Sequence, residues 1–152
     1  MTKILFVCLG NICRSPMAEA LFRAEINARG LAWQVDSAAT SGWEAGNPAH
    51  AGTRQLLAQK GISSKGLISR QVQTKDFEDF DWIIGMDDQN VADLRKRAPK
   101  DHQDKIHTYL SVVPDQEDAE IPDPYYTGDF EETYRLLKTG MPYWIAAIKE
   151  DK

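Results

Sequence analysis

Near the start of this chain five residues separate a cysteine from an arginine, and serine and proline follow at once: Cys8-Leu9-Gly10-Asn11-Ile12-Cys13-Arg14-Ser15-Pro16. An apolar run, Ile4 to Val7, precedes this stretch, and a run with helical spacing follows it. The stretch therefore reads as a tight loop between a buried strand and a helix. A loop that short can curl so that its backbone N–H groups converge, making a concave anion site at a helix N-terminus. A thiol at the base of such a nest is expected to ionise easily, because the amides, the helix dipole and the Arg14 guanidinium all favour the thiolate. The pattern points to Cys8 as a nucleophile aimed at an oxyanion held by Arg14.

The rest of the chain alternates short strands with helices. Ser15 can cap the first helix with Pro16 at its first position; Met17, Ala20, Leu21, Ala24 and Ala28 recur at helical spacing, and Gly30 stops it. Trp33 to Ala38 is a second strand, leading into a Thr40-Ser41-Gly42-Trp43 turn. Asn47-Pro48 marks a second helix start, with Leu56, Leu57 and Gly61 in its last turn. Ser63 to Gln73 has no period and reads as loop, and Asp76 to Asp81 holds a short helical turn. Asp81 to Met86 is a third strand; Asp87 or Asp88 caps a helix that ends near Arg97, before Pro99. Lys105 to Leu110 is the fourth strand candidate, and Ser111 to Thr127 is a long, acidic, proline-punctuated loop. Asp129 and Glu132 can form a capping box for a last helix carrying Phe130, Tyr134, Leu137, Met141, Trp144, Ile145 and Ile148 on one stripe. Gly140 and Pro142 predict a kink or break in it. This order is that of an α/β fold with a parallel sheet, in which ligands bind at the carboxyl ends of the strands, where Cys8 lies.

With 152 residues and neither linker nor repeat, one domain over 1–152 is expected. A net charge of −5 without a Lys/Arg run argues against a nucleic-acid partner. No apolar run approaches spanning length, and Met1-Thr2-Lys3 before a short strand is not a secretory signal, so no membrane association and a cytoplasmic location are expected. Cys8 and Cys13 are the only cysteines. A disulfide between them would close too small a loop to stabilise much, and no ligand spacing suits zinc, so no metal and no cofactor are expected. Reactive thiols in a reducing compartment fit better.

A thiolate attacks phosphorus well, and a thiophosphate is labile enough to be hydrolysed again. The loop amides would hold the equatorial phosphoryl oxygens while Arg14 gives a bidentate clamp, so the transition state needs no metal. Ser15 can donate toward the Cys8 sulfur. The departing oxygen needs an acid. The three histidines, His50, His102 and His107, carry no motif. Asp123 in Ile121-Pro122-Asp123-Pro124-Tyr125-Tyr126 is the better candidate, stiffened by prolines and followed by two aromatics that suit an aryl phosphate.

Cys8 through Pro16 together with Asp123-Pro124-Tyr125-Tyr126 closely resembles the low-molecular-weight protein tyrosine phosphatases. The likeness extends through Val35 to Ala39, the Trp43 turn, Ser69 to Val72, and Phe80 to Asp87. It implies a four-stranded parallel sheet flanked by helices on both faces. It also implies Cys8 as nucleophile, Arg14 as phosphate binder and Asp123 as general acid and then base, acting on phosphotyrosine in proteins and on small aryl phosphates. By the same likeness Asn11 and Ser37 hold the loop backbone, Ser15 supports the thiolate, and Glu19 and Asp87 orient Arg14. Leu9, Trp43, Tyr125 and Tyr126 wall the pocket, with Gly10, Ile12 and Cys13 in the phosphate-binding loop. Cys13 matches a second loop cysteine that can trap oxidised Cys8 as a reversible disulfide; a plain buried residue is the other reading. A monomer is expected.

Pro48-Ala49-His50-Ala51-Gly52 stands where relatives commonly read Pro-x-Asp-Pro-Arg, which alters the start of the second helix. Two rival activities share the fold. An arsenate reductase needs a relay pair of cysteines near residues 80–90, where this chain has Trp82-Ile83-Ile84-Gly85-Met86. Phosphoarginine phosphatases carry Thr at the position of Ile12, and an apolar branched side chain there better faces an aromatic ring. A silent phosphate-binding module would be expected to lose Cys8 or Asp123, and both are present.

Overall fold

The computed structural model describes residues 1–151, so the last residue of the expected 1–152 domain lies outside the described residues. Four strands, β1 (Lys3–Cys8), β2 (Gln34–Ala39), β3 (Trp82–Gly85) and β4 (Ile106–Thr108), form one sheet in the order β2-β1-β3-β4. All neighbours are parallel, with Cys8 opposite Ala39 on one side and Val7 opposite Gly85 on the other. The helices are α1 (Arg14–Arg29), α2 (Ala51–Gln59), α3 (Thr74–Asp79), α4 (Asp88–Arg97), α5 (Pro124–Thr127) and α6 (Phe130–Glu150).

Strand β1 is buried along nearly its whole length, and its alternation divides the core. Ile4, Phe6 and Cys8 face a larger cluster with Leu21 and Phe22 of α1, Leu57 of α2, and Trp144 and Ile148 of α6. Leu5 and Val7 face a smaller one with Phe77 of α3 and Val91 and Leu94 of α4. Helices therefore cover both faces, as expected from the continuous apolar run. Trp144 is fully buried, while Trp33 and Trp82 pack half-buried against the same cluster. After β1 the chain turns to one neighbour, β2, and later returns on the other side as β3, which makes the carboxyl end of β1 the switch point of the sheet. The loop of residues 9–13 emerges there.

Several boundaries differ from the sequence expectation, each for a local reason. Helix α1 begins at Arg14, so Ser15 lies inside it and does not cap it; its hydroxyl is engaged by Cys8 and Asn11 instead. Helix α2 starts at Ala51 rather than near Asn47-Pro48, because Pro48 bridges Ile68 in extended conformation and the His50 ring nitrogen caps the helix by accepting from Gly52 N–H. Strand β4 is only Ile106–Thr108, and Tyr109–Val112 tightens into a 3-10 turn. The long segment after it ends in the short helix α5, capped by Asp123.

Helix α6 runs through both interrupting residues. Gly140 is where the Tyr109 ring packs against the helix; a Cβ there would sit 2.6 Å from ring carbon Cε1. Pro142 faces outward, so the hydrogen bond it removes falls on the solvent side. Among the described residues no helix is long and apolar enough to cross a membrane.

Candidate active site

Residues 9–13 are pinned by their carbonyls. Leu9 C=O accepts from Ser41 N–H (3.1 Å) and Oγ (2.9 Å), and Gly10 C=O from Ser69 Oγ (2.8 Å). Ile12 C=O accepts from His50 N–H (2.8 Å) and Thr53 Oγ1 (3.1 Å). Every peptide bond described is trans, so each N–H points opposite its own carbonyl. With those carbonyls held by the surroundings, the amides of Gly10, Asn11 and Cys13 turn toward the hollow of the loop. Asn11 N–H lies 3.3 Å from Cys8 Sγ, in line with that orientation.

Asn11 occupies the left-handed region at φ 57°, a conformation that asparagine tolerates better than most residues. Its buried side chain reads both neighbours. Oδ1 accepts from Arg70 N–H (3.1 Å), leaving Nδ2 to donate to Ser15 Oγ (2.7 Å) and Ser37 Oγ (2.9 Å). This narrows the hydroxyl directions. Ser15 accepts from Asn11, so its own proton goes to Cys8 Sγ, 3.1 Å away, or to the more distant Ala38 C=O at 3.5 Å. Ser37 likewise accepts from Asn11 and donates to Glu19 Oε1 at 2.6 Å. The expected support of the loop by Asn11 and Ser37, and of the sulfur by Ser15, has this geometry.

Arg14 is 2% exposed. One terminal nitrogen donates to Asp87 Oδ2 (2.7 Å) and to Ile121 C=O (2.9 Å), and the other lies 3.4 Å from Asp123 Oδ2. Burial by itself would lower the Arg14 pKa; Cys8, Asp87 and Asp123 outweigh it and hold the guanidinium above its ordinary value. Arg14 Nε is buried without a protein partner, an exception that calls for an acceptor from outside the protein. Of the two carboxylates expected to orient this arginine, Asp87 does so. Glu19 does not: it bonds Ser37 and Arg23, and it acts on the loop from the opposite side.

Asp123 caps α5 by accepting from Tyr125 N–H at 3.1 Å through Oδ1, which leaves Oδ2 facing Arg14. Pro124 fixes this arrangement as the first residue of α5. Cys8, Leu9, Gly10, Ile12, Cys13, Trp43, Asp123, Tyr125 and Tyr126 line one cavity of about 140 Å³, joined by Glu44, which nothing in the sequence singled out. Trp43, Tyr125 and Tyr126 are 81%, 56% and 73% exposed, so three large aromatics stand in solvent around a buried floor. Tyr125 is tied to the altered segment before α2. The His50 ring stacks on Phe130 (centroids 5.1 Å apart) and meets Tyr125 edge-on (6.1 Å). Gly52 is what admits Phe130, whose ring occupies the place a Cβ would take.

Cys13 is buried, and burial first, then the nearby Cys8 and Asp123 charges, pushes its thiol up to about 12. The two loop cysteines are both free and differ in their surroundings. Cys8 receives Ser15 O–H and Asn11 N–H, whereas Cys13 is held in its neutral form. Among the described residues no group of three or more His, Cys, Asp or Glu side chains is arranged to hold a metal ion. The sequence gives no role to Arg23 on α1, nor to Thr53, Ser69 and the backbone of Arg70 and Ile121, which hold the site from other segments.

A family model described as low molecular weight phosphotyrosine protein phosphatase matches residues 3–152. The chain is 48% identical over 154 residues to the low molecular weight protein-tyrosine-phosphatase YfkJ of Bacillus subtilis, covering 100% of this chain and 99% of that one. The crystal structure of YfkJ matches with a TM-score of 0.95 over 100% of this chain and 97% of that chain. PtpA of Staphylococcus epidermidis, also a low molecular weight protein-tyrosine-phosphatase, is 38% identical over 152 residues, with 99% and 96% covered. The crystal structure of a drosophila arginine phosphatase is similar as well, at 35% identity and a TM-score of 0.91 over 99% of this chain and 100% of that one. The strand, loop and helix that place Cys8 against Arg14, and the resemblance first carried by those residues, lead to one conclusion: the chain belongs to the low molecular weight phosphotyrosine protein phosphatases.

Proposed function

We propose that this chain, acting as one domain and as a monomer, hydrolyses phosphotyrosine in proteins, and small aryl phosphates, through a cysteinyl-phosphate at Cys8. The observation that carries this reading is the convergence of Cys8 and Asp123 on one aromatic-walled cavity, with Arg14 held beside Asp123. The phosphoryl group enters the loop and takes the place of Asp123 on the Arg14 guanidinium, its oxygens meeting Arg14 Nε and the turned amides. The Cys8 thiolate attacks phosphorus in line; the P–O bond to the tyrosyl oxygen breaks, and Asp123 gives that oxygen its proton. Asp123, now a carboxylate, takes a proton from water, which attacks phosphorus and breaks the P–S bond. Inorganic phosphate leaves and the thiolate returns. Ser15 O–H and Asn11 N–H stabilise the sulfur as leaving group, which helps the second step most.

Every charge in this cycle is met by a protein donor, so the reaction is metal-independent. All the groups come from one chain, which suits a monomer, and the two free thiols suit a reducing cytoplasm. Apolar Ile12 at the pocket floor offers an aryl ring a surface and offers a guanidino group no hydroxyl, which favours tyrosine over arginine as the phosphate carrier. The test is turnover of a phosphotyrosyl and a phosphoarginyl peptide in the presence of EDTA. Hydrolysis of the first with little of the second is expected. A requirement for added metal would overturn the mechanism, and a preference for phosphoarginine would overturn the substrate.

A further inference from the structure

Glu19 sits 6% exposed beneath the loop, with Ser37 on one oxygen and Arg23 on the other at 2.5 Å. From there an unbroken run of hydrogen bonds leads to the nucleophile: Ser37 Oγ to Asn11 Nδ2, Asn11 Nδ2 to Ser15 Oγ, Ser15 Oγ to Cys8 Sγ. Arg70 N–H on Asn11 Oδ1 sets which end of the amide donates, and Ser37, held by Glu19, anchors one of its two donated bonds. The run needs an acceptor at its far end, and the acceptor is the Glu19 carboxylate. Burial pushes Glu19 toward its neutral form, and Asp36 on β2 adds to this, while Ser37 and Arg23 oppose it. Arg23 is the cation in contact with Glu19. It is itself fixed by a bond to Val35 C=O, and nearly half of its side chain is exposed.

We propose that Arg23, which touches neither substrate nor sulfur, is a positioning residue for catalysis: it keeps Glu19 ionised and thereby holds Asn11 and Ser15 in the orientation that directs a proton at Cys8. A neutral Glu19 is a weaker acceptor for Ser37, so the Asn11 amide is less firmly aimed and the Ser15 hydroxyl is free to rotate away from the sulfur. The chemical steps suffer, and substrate binding by the walls does not. The inference rests on Cys8 as the nucleophile.

The experiment is steady-state hydrolysis of an aryl phosphate by the wild type, Arg23→Gln, Arg23→Lys and Cys8→Ser across pH. Arg23→Gln is expected to lower kcat about tenfold, the equivalent of one weakened charge-assisted bond, with KM within about twofold. The deficit is expected to deepen as pH falls, because burial favours the neutral form of Glu19 and the variant lacks the cation that opposes it. Arg23→Lys is expected to recover most of the activity at higher pH. Because Arg23 is half in solvent, Gln removes charge with little loss of packing, and circular dichroism of the variant checks that it folds. A deficit that is constant across pH, or one confined to KM, or no rescue by Lys, would overturn the role of Arg23. Activity retained by Cys8→Ser would instead overturn the reading of the nucleophile.

Discussion

The floor and the walls of the cavity are built by opposite means. The floor is Cys8 to Arg14, buried except at half-buried Leu9 and Gly10, with the carbonyls of Leu9, Gly10 and Ile12 and the side chains of Asn11 and Arg14 tied to separate segments of the chain. The walls are Trp43, Tyr125 and Tyr126, exposed side chains on a turn and on a four-residue helix. Charge that develops in a transition state is stabilised best by donors that need not move, which is what a pinned loop supplies. An aromatic substrate ring is gripped by surfaces that can adjust, and these need only be apolar and near. On the proposed reading, chemistry falls to the pinned part of the cavity and recognition to its exposed part.

Variants that break this division rank by where they fall. Cys8→Ser removes the proposed nucleophile and is expected to lower kcat on the order of 10⁴-fold or more, measured with a phosphotyrosyl peptide; a loss under tenfold would place the chemistry elsewhere. Asp123→Ala comes next, with a loss on the order of 10²–10⁴-fold for phosphotyrosine and a smaller one for p-nitrophenyl phosphate, whose leaving group departs without a proton. An equal loss on both substrates would remove Asp123 from the acid role. Trp43→Ala or Tyr126→Ala should raise KM about threefold to tenfold, the worth of one aromatic contact, with kcat nearly constant. If either acted on kcat as the floor variants do, walls and floor would not be separable.

The smallest effect concerns stability. The Cys13 thiol is raised by burial from 9.0 to about 12, so the folded chain holds a proton that the unfolded chain has lost in between. Its contribution is complete below the unfolded value and disappears as pH rises through the folded one, at up to about 1.4 kcal/mol per pH unit. Urea unfolding of Cys13→Ser against wild type above pH 9.0 should give a flatter decline for the variant; parallel declines would mean that burial does not hold the thiol neutral.

What could be read from the residues follows the same division. The strand, loop and helix around Cys8 are local in sequence, so the apolar run, the loop spacing and Gly30 locate them directly. Asp123 is legible because proline on both sides and aromatics after it leave few structural reasons for a carboxylate. The supports of the floor were not legible, since Gly10 and Ser69 are 59 residues apart and serine carries no signal of its partner. Glu19 was read as a support for Arg14, and its true partners depend on how β2 lies against α1. The start of α2 and the unbroken α6 were missed because proline is a strong local signal. Tertiary pairing of Pro48 and the solvent-facing place of Pro142 override it. The family resemblance compensated for the walls, where three exposed aromatics would otherwise read only as surface.

On the proposed mechanism the phosphoryl group passes through Cys8 while its neighbour Cys13 stays a neutral bystander in the chemical steps. Rapid acid quench of Asp123→Ala during turnover of p-nitrophenyl phosphate, followed by peptide mass spectrometry, tests this directly. A phosphoryl adduct on the sulfur of Cys8 is expected. Phosphate on Cys13, or an enzyme that turns over with no covalent adduct at any point, would contradict it.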